Sequence, residues 1–275
     1  MTKPTPPTER AGKFTELHTM SVEELTSAMH EVDFETLKAV GEVKESINSF
    51  ISQLVLRMKK GGRLFYMGAG TSGRLGVVDA SECPPTFGVN PGVVVGIIAG
   101  GDSAIRQAVE GAEDDSEMGW LDLNEYNVTG LDSVVGIAAS GRTPYVIGAI
   151  KSARDHGLLT ACITCNPDTE LAGVSEFPIE VITGPEFVTG STRLKAGTAT
   201  KLVLNMISTI AMIQLGHVKG SKMVDMQLSN AKLIGRGTYM VMEATGLAEV
   251  EARELLIAEG SVREAVDHYK SSKKG

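Results

Sequence analysis

The chain has 275 residues, 42% of them hydrophobic, so it can bury one main core plus small appendages. Its net charge of −8 at pH 7 argues against a nucleic-acid or anionic-membrane partner, because such partners bind basic surfaces. No apolar run approaches the roughly 18–20 residues of a membrane span, and no signal-peptide pattern opens the chain. The three cysteines suit a reducing compartment. Together these features predict a cytoplasmic protein.

Residues 1–54 are predicted to form a tail followed by helices. Three prolines in the first seven residues favour a disordered or extended segment over residues 1–12. Ser21 and Glu24 have the spacing of a capping box and predict the start of a helix. A second, long helix is predicted from about 34 to 60, where apolar residues recur at helical spacing.

The central part of the chain alternates between short apolar runs and segments with helical periodicity. This alternation predicts an open parallel sheet with helices on both faces, a three-layer αβα domain over residues 55–217. After it, helical patterns predict a small C-terminal helical bundle over residues 218–275. The predicted strands cover residues 64–67, 93–99, 133–139, 160–164 and 179–183, and the C-terminal helices about 226–245, 247–259 and 261–269.

A glycine-rich turn follows the first predicted strand. Gly70 and its neighbouring glycines permit a tight turn and close approach of the backbone, and Thr71 and Ser72 add hydroxyls at the start of the next helix. Free N–H groups, a helix dipole and two hydroxyls suit an anion. We interpret this turn as a phosphate-binding cradle.

The same glycine spacing, Gly68-x-Gly70-x-x-Gly73, also fits a dinucleotide fingerprint, which requires an acidic residue at the end of the next strand. The acid there, Asp102, lies late and behind two glycines. A second hydroxyl-rich turn, residues 138–143, follows the third strand, and one nucleotide does not need two such turns. A compact phosphorylated ligand is therefore favoured over a dinucleotide.

Ligands of open parallel sheets bind beyond the carboxyl ends of the strands, where both turns are expected to lie. The polar stretch 184–201 enters an apolar helix and is a third candidate for ligand contacts, although capping alone explains many such segments.

Carboxylates at two places in the sequence are candidates for acid–base chemistry. Glu82 precedes two prolines and is predicted to lie in an exposed loop at the end of a helix, with a solvated loop residue as the alternative. Glu110 and Glu113 are predicted to share one face of a helix that begins at Asp102 and Ser103, with a solvated acidic helix end as the alternative. The five histidines show no ligand spacing, so no metal site is predicted.

Four segments resemble N-acetylmuramic acid 6-phosphate etherases. They are GAGTSGRLGVVDASECPPTF at 68–87, AVEGAED at 108–114, GIAASGRTPY at 136–145 and GSTRLKAGT at 190–198. The resemblance extends over roughly residues 20–268. It implies a sugar isomerase (SIS) domain and a homodimer without metal or cofactor. It also implies a lyase that releases D-lactate from the 6-phosphosugar during recycling of cell-wall amino sugars. The related glucokinase regulatory proteins, which bind phosphosugars without catalysis, are the alternative.

The resemblance also implies roles for individual residues. Glu82 corresponds to the acid that assists departure of lactate, and Glu113 to the base near C2. The residues implied to contact the substrate are Gly70, Thr71, Ser72, Glu110, Ser140, Gly141, Thr143, Thr192 and Arg193.

The chemistry of the reaction is consistent with two carboxylates. An alkoxy group at C3 of an open-chain aldehyde leaves once the C2 proton is removed, which takes one base and one acid. The residues themselves leave open which carboxylate has which role.

Overall fold

The computed structural model describes residues 5–273; the first four residues, which belong to the predicted tail, and the last two lie outside it. Two short 3₁₀ helices, Pro7–Glu9 and Leu17–Thr19, precede the main elements. The helices are α1 Val22–Glu42, α2 Lys44–Met58, α3 Gly70–Phe87, α4 Ser103–Arg106, α5 Met118–Asn124, α6 Pro144–Asp155, α7 Glu170–Val174, α8 Lys195–Gln214, α9 Ala231–Thr245, α10 Glu249–Glu259 and α11 Val262–Ser272. The strands are β1 Leu64–Gly68, β2 Val94–Ile98, β3 Ser133–Ile137, β4 Leu159–Thr164, β5 Phe177–Glu180, β6 Val218–Lys219 and β7 Lys222–Met223.

The first five strands form one parallel sheet in the order β2-β1-β3-β4-β5. Every residue of β1, β3 and β4 is buried, as expected for parallel strands covered by helices on both faces. The predicted α/β fold with a parallel sheet is therefore confirmed. The fifth strand begins and ends slightly earlier than predicted, at 177–180 instead of 179–183.

The strand order reverses between β1 and β3. Leu64 of β1 pairs with Val94 on one side and with Ser133 on the other, so the chain leaves β1 toward β2 and returns to the opposite edge of β1. At such a switch point the turns that follow the two strands diverge and leave a crevice. The hydroxyl-rich turns after β1 and β3 border this crevice.

The chain divides into two compact units. The first comprises residues up to Ala80 together with Val94–Thr209; it contains the parallel sheet and a core that includes Phe65, Val134 and Ile150. The second comprises Ser81–Val93 and the residues from Ile210 onward. Its own core lies among α9, α10 and α11 and the β6-β7 hairpin. The domain boundaries at 54 and 217 stay a prediction.

The N-terminal helices differ from the sequence prediction in where they break. The capping box at Ser21 is present, and α1 begins immediately after it. The predicted long helix from 34 to 60 is wrong, because α1 continues to Glu42 and the break falls at Val43, whose φ of −104° and ψ of 13° leave the helical region. Apolar periodicity continues through this break, so it did not reveal the change of direction.

Helix α8 is apolar and long enough to cross a membrane by length and composition alone. This departs from the expectation that no stretch of the sequence approaches a membrane span. Of its most apolar 18-residue window, 56% is buried within the protein, as in the core helix of a globular domain.

A buried ion pair fixes the start of β1 against β3. Asp132, which precedes β3, is 1% exposed. Its carboxylate accepts hydrogen bonds from Arg63 N, Arg63 Nη2 and Thr129 N, each at 2.8 Å. Burial raises the pKa of the Asp132 carboxyl, but these hydrogen bonds outweigh burial and hold the pKa below its ordinary value. The pair thus joins the residues just before both central strands.

Replacing Asp132 with Asn is expected to lower the free energy of unfolding at pH 7 by about 2–3 kcal/mol, because the Arg63 guanidinium loses its charged partner. The pKa of Asp132 is lower in the folded than in the unfolded protein. The stabilisation by the Asp132 carboxylate is therefore fully present above about pH 4 and is lost as the pH falls through the folded pKa. Urea unfolding at several pH values measures it. The difference in the free energy of unfolding between wild type and Asp132→Asn should narrow below about pH 4. The control Asp155→Asn, at an exposed position, should match the wild type at every pH. A difference for Asp132→Asn that does not change with pH would contradict the role of the Asp132 carboxylate.

Candidate functional site

A cavity of about 200 Å³ lies at the carboxyl ends of β1 and β3. We call it the hydroxyl cavity, because hydroxyl groups supply most of its polar wall. Among the described residues that line it, Glu113 is the one ionisable side chain. The lining consists of Ala69, Gly70, Thr71, Ser72, Glu113, Ile137, Ala138, Ala139, Ser140, Thr143, Thr192, Gly197 and Thr200.

The first wall of the cavity is the start of α3, and two glycines make it possible. A Cβ at Gly73 would lie 2.6 Å from Ile98 Cγ1 and 2.7 Å from the Gly68 carbonyl oxygen, so only glycine allows α3 to begin this close to the sheet. Gly70 has a φ of +52°, which turns the chain from strand to helix. The free N–H groups of an 18-residue helix therefore lie beside the Thr71 and Ser72 hydroxyls, a suitable environment for phosphate.

The second wall is the turn between β3 and α6. Gly141 has a φ of +65°, and its N–H donates to the Ala138 carbonyl at 2.9 Å. A Cβ there would lie 2.3 Å from Thr169 Cβ, so the turn requires glycine. The Ser140 hydroxyl oxygen accepts the Arg142 N–H at 3.2 Å, and Ser140 and Thr143 both line the cavity. Gly141 itself does not line it; it shapes the turn.

The Glu113 side chain lines the cavity from a turn rather than from a helix. The helix predicted from Asp102 is only the four residues of α4, and the chain then turns at Gly111, which has a φ of +73°. The prediction that Glu110 and Glu113 share a helix face is therefore wrong. Both glutamates are exposed in the turn, but Glu110 lies outside the lining of the cavity, whereas Glu113 belongs to it.

One contact holds Glu113 itself, and another holds α4, the helix before it. The Glu113 carbonyl accepts the Tyr145 N–H at 3.1 Å, which joins the segment to the first turn of α6. The Arg74 guanidinium of α3 donates to the carbonyls of Ala104 and Ile105, each at 2.8 Å. The base candidate is thus tied to both helices that begin at the cavity.

The third wall comes from the entry to α8. Thr192 and Thr200 line the cavity, and Gly197 lies between them at the start of the helix. Fully buried Glu186 caps this helix, since its carboxylate accepts the N–H groups of Lys195 at 2.8 Å and Ala196 at 3.0 Å. Burial raises the pKa of the Glu186 carboxyl, against the effect of these two donors.

Glu82 lies elsewhere. The prediction that the two prolines end the helix before Glu82 is wrong, because α3 continues through Pro84 and Pro85 to Phe87. Glu82 is exposed on this helix and does not line the hydroxyl cavity.

The structure therefore assembles most of the predicted site, but not all of it. Lining residues from the prediction are Gly70, Thr71, Ser72, Glu113, Ser140, Thr143 and Thr192. Glu82, Glu110, Gly141 and Arg193 are predicted residues outside the lining. Thr200 was missed; a hydroxyl one turn after Gly197 in the first turns of an apolar helix was the available signal.

Sequence comparisons with known proteins give close matches along almost the whole chain. The chain is 56% identical over 273 residues to N-acetylmuramic acid 6-phosphate etherase from Christiangramia forsetii, with 99% of this chain and 100% of that protein covered. It is 54% identical to the protein of the same name from Bacteroides fragilis, with 96% and 94% covered. The family model described as glucokinase regulatory protein N-terminal SIS domain matches residues 46–154.

Solved structures share the fold at low sequence identity. A putative phosphosugar isomerase involved in capsule formation from Bacteroides fragilis has a TM-score of 0.55 at 20% identity, covering 72% of this chain and 94% of that one. A phosphoheptose isomerase from Francisella tularensis has a TM-score of 0.53 at 16% identity, covering 70% and 100%. These similarities confirm the SIS-type fold.

Proposed function

The chain belongs to the family of N-acetylmuramic acid 6-phosphate etherases, and we propose that the hydroxyl cavity is where it cleaves the lactyl ether of that substrate. The protein is a carbon–oxygen lyase, which converts N-acetylmuramic acid 6-phosphate to N-acetylglucosamine 6-phosphate and D-lactate. The relatives that match almost the full chain are etherases, and this decides against a regulator that binds phosphosugars without catalysis. A cytoplasmic location stays a proposal, which fractionation of the producing cells tests.

The observation that carries the site proposal is the composition of the hydroxyl cavity. Ser72 and Ser140 face it from the two turns at the strand-order reversal, where the start of α3 adds free N–H groups. Together these donors suit the 6-phosphate, since each charge-assisted hydrogen bond contributes roughly 1.5–3 kcal/mol. Thr143, Thr192 and Thr200 are left to bind sugar hydroxyls.

Glu113 is the base in this proposal. It is the one carboxylate among the described residues that line the cavity, and its backbone is fixed through Tyr145. Its carboxylate takes the proton from C2 of the open-chain sugar, and the acid donates a proton to the ether oxygen as the C3–O bond breaks. D-lactate leaves, and water then adds at C3: one of its protons goes to the acid and the other stays in the new hydroxyl group. Glu113, whose proton exchanges with solvent, protonates C2.

The acid must reach the cavity at the same time as Glu113, because C2 and C3 are neighbouring atoms. Glu82 is exposed on α3 and lies outside the described lining of the cavity. We therefore infer a homodimer in which Glu82 of one copy serves the cavity of the other. Exposed apolar side chains on α1, including Phe34 and Leu37 at 60% and 56% exposure, offer surface for such an assembly.

The proposed reaction is tested by incubating the protein with N-acetylmuramic acid 6-phosphate in isotopically labelled water. Elimination followed by hydration takes both the oxygen at C3 and the proton at C2 from solvent. Heavy-oxygen water should label the sugar and leave lactate unlabelled, and heavy water should place deuterium at C2. Label in the lactate would overturn the elimination mechanism, and no lactate release at all would overturn the function.

A further inference from the structure

The segment just before α1 is anchored in the protein interior. The tail was predicted to be disordered or extended over residues 1–12, but Pro7–Glu9 forms a 3₁₀ turn and Thr8 is fully buried. The Thr8 N–H and hydroxyl lie 3.1 and 3.2 Å from Asn166 Oδ1, and Asn166 Nδ2 lies 2.9 Å from the Thr8 hydroxyl oxygen. A polar residue buried so deeply is stable there because Asn166 binds both its backbone and its side chain.

Asn166 transmits this contact to the hydroxyl cavity. Its side-chain amide is 3% exposed and donates a hydrogen bond to the Ala139 carbonyl at 3.1 Å. The same carbonyl accepts the Cys165 N–H at 2.9 Å. Ala139 lines the cavity and directly precedes Ser140. The position of the Ser140 hydroxyl is therefore set through one peptide group that Asn166 holds.

The N-terminal segment also lies close to the loop that leads to the opposite wall of the cavity. A Cβ at Gly190, in the loop before Thr192, would lie 3.0 Å from the Glu9 carboxylate. A Cβ at Gly12 would lie 2.9 Å from the carbonyl oxygen of Glu186, whose side chain caps α8. Residues 8–12 thus contact segments that lead to both the Ser140 wall and the Thr192 wall.

We propose that Thr8 and Asn166 are positioning residues for substrate binding: Thr8 orients the Asn166 amide, and Asn166 holds the Ala139–Ser140 peptide so that the Ser140 hydroxyl faces the 6-phosphate. The inference rests on the proposed role of Ser140 in the hydroxyl cavity. It assigns the N-terminal segment a function in ligand affinity, distinct from the proton transfers of Glu113. Neither residue touches the substrate; each acts through the turn.

The test measures KM and kcat of the full-length protein for release of lactate. Thr8→Val keeps the shape of the side chain and removes its hydroxyl, so KM should rise about tenfold, the equivalent of one hydrogen bond, with kcat changed less than twofold. Thr8→Ser restores the hydroxyl and should return KM to the wild-type value. The matched control is Thr19→Val, because the Thr19 hydroxyl bonds only the nearby Glu16 carbonyl in an exposed turn.

The outcomes separate three possibilities. A lower melting temperature with unchanged KM in Thr8→Val would overturn the inference, because the contact would then be structural only. The Ser140→Ala variant tests the site assignment separately. If KM rises in Ser140→Ala but not in Thr8→Val, the positioning role of Thr8 is overturned and the role of Ser140 stands. If KM is unchanged in Ser140→Ala, both the role of Ser140 and the positioning role of Thr8 are overturned. If Thr8→Val does not fold, a variant that lacks residues 1–10 serves instead. It also lacks the contact between Thr8 and Asn166, and its KM should likewise rise.

Discussion

Replacing Glu113 with Gln is expected to lower kcat for lactate release by about 10²–10⁴-fold and to abolish exchange of the C2 proton with solvent. Glutamine has nearly the same shape but accepts no proton, and no other described residue that lines the hydroxyl cavity carries a carboxylate. Proton NMR in heavy water follows exchange at C2, and an enzymatic lactate assay follows cleavage.

The control for this variant is Glu117→Gln, an exposed carboxylate of the same loop that lies outside the cavity lining. It should leave both rates within about twofold of the wild type, because exposed substitutions rarely disturb a distant site. If Glu113→Gln retains C2 exchange, another group is the base, even though the family assignment stands.

Mixing two inactive variants is expected to restore activity. Glu82→Gln and Glu113→Gln homodimers should each release little lactate, yet a mixed dimer contains one cavity with an intact Glu113 and an intact Glu82 from the other subunit. Random reassembly of equal amounts gives half mixed dimers with one working site each. The restored rate should therefore approach a quarter of the wild-type rate, measured after co-refolding or co-expression.

The opposite arrangement makes a different prediction. If both carboxylates of a site came from the same chain, each site of a mixed dimer would lack one of them, and mixing would restore nothing. Glu82→Gln alone should retain some C2 exchange, since removal of the C2 proton can precede departure of lactate. Loss of exchange in both variants to the same degree would contradict the separate roles of acid and base.

The sequence predicted the sheet well because parallel strands in this fold are short, fully apolar and separated by helical segments. It predicted the two walls around Ser72 and Ser140 for a local reason. Glycines such as Gly73 and Gly141 occur where backbone approaches too closely for a side chain, and this constraint is visible in the residue type itself. Four of the five strands consequently lie within about two residues of their predicted ends.

The errors arose where one local rule competed with another. Pro84 and Pro85 are strong helix breakers, but they fall in the last four residues of α3, where the helix is about to end and loses few hydrogen bonds. The helix predicted after Asp102 had a start signal in the sequence but no signal for its length. It ends at Arg106, where Gln107 is extended with a φ of −130°, and the chain turns again at Gly111. Both errors displaced a carboxylate that the mechanism uses.

Contacts between distant residues were beyond any local rule. Thr200 lines the cavity because α8 returns to the sheet edge. A hydroxyl one turn after Gly197 was its local signal, and that signal does not reveal the approach of α8 to the sheet. The sequence around Thr8 does not indicate that this residue is buried. Its hydrogen-bond partner, Asn166, is remote in the chain and comes near Thr8 only when the sheet is assembled.

The bond between Thr8 and Asn166 spans 158 residues and imposes an order on folding. During synthesis the N-terminal segment emerges first, but its partner does not exist until more than half of the chain has been made. Closing so long a loop is entropically costly until the intervening strands have paired and brought the two ends near each other. The earliest part of the polypeptide is thus among the last to dock. A nascent chain that has completed β1 and β3 still lacks the contact that holds the Ala139–Ser140 peptide. The chain therefore becomes able to bind the phosphosugar only after the sheet has formed.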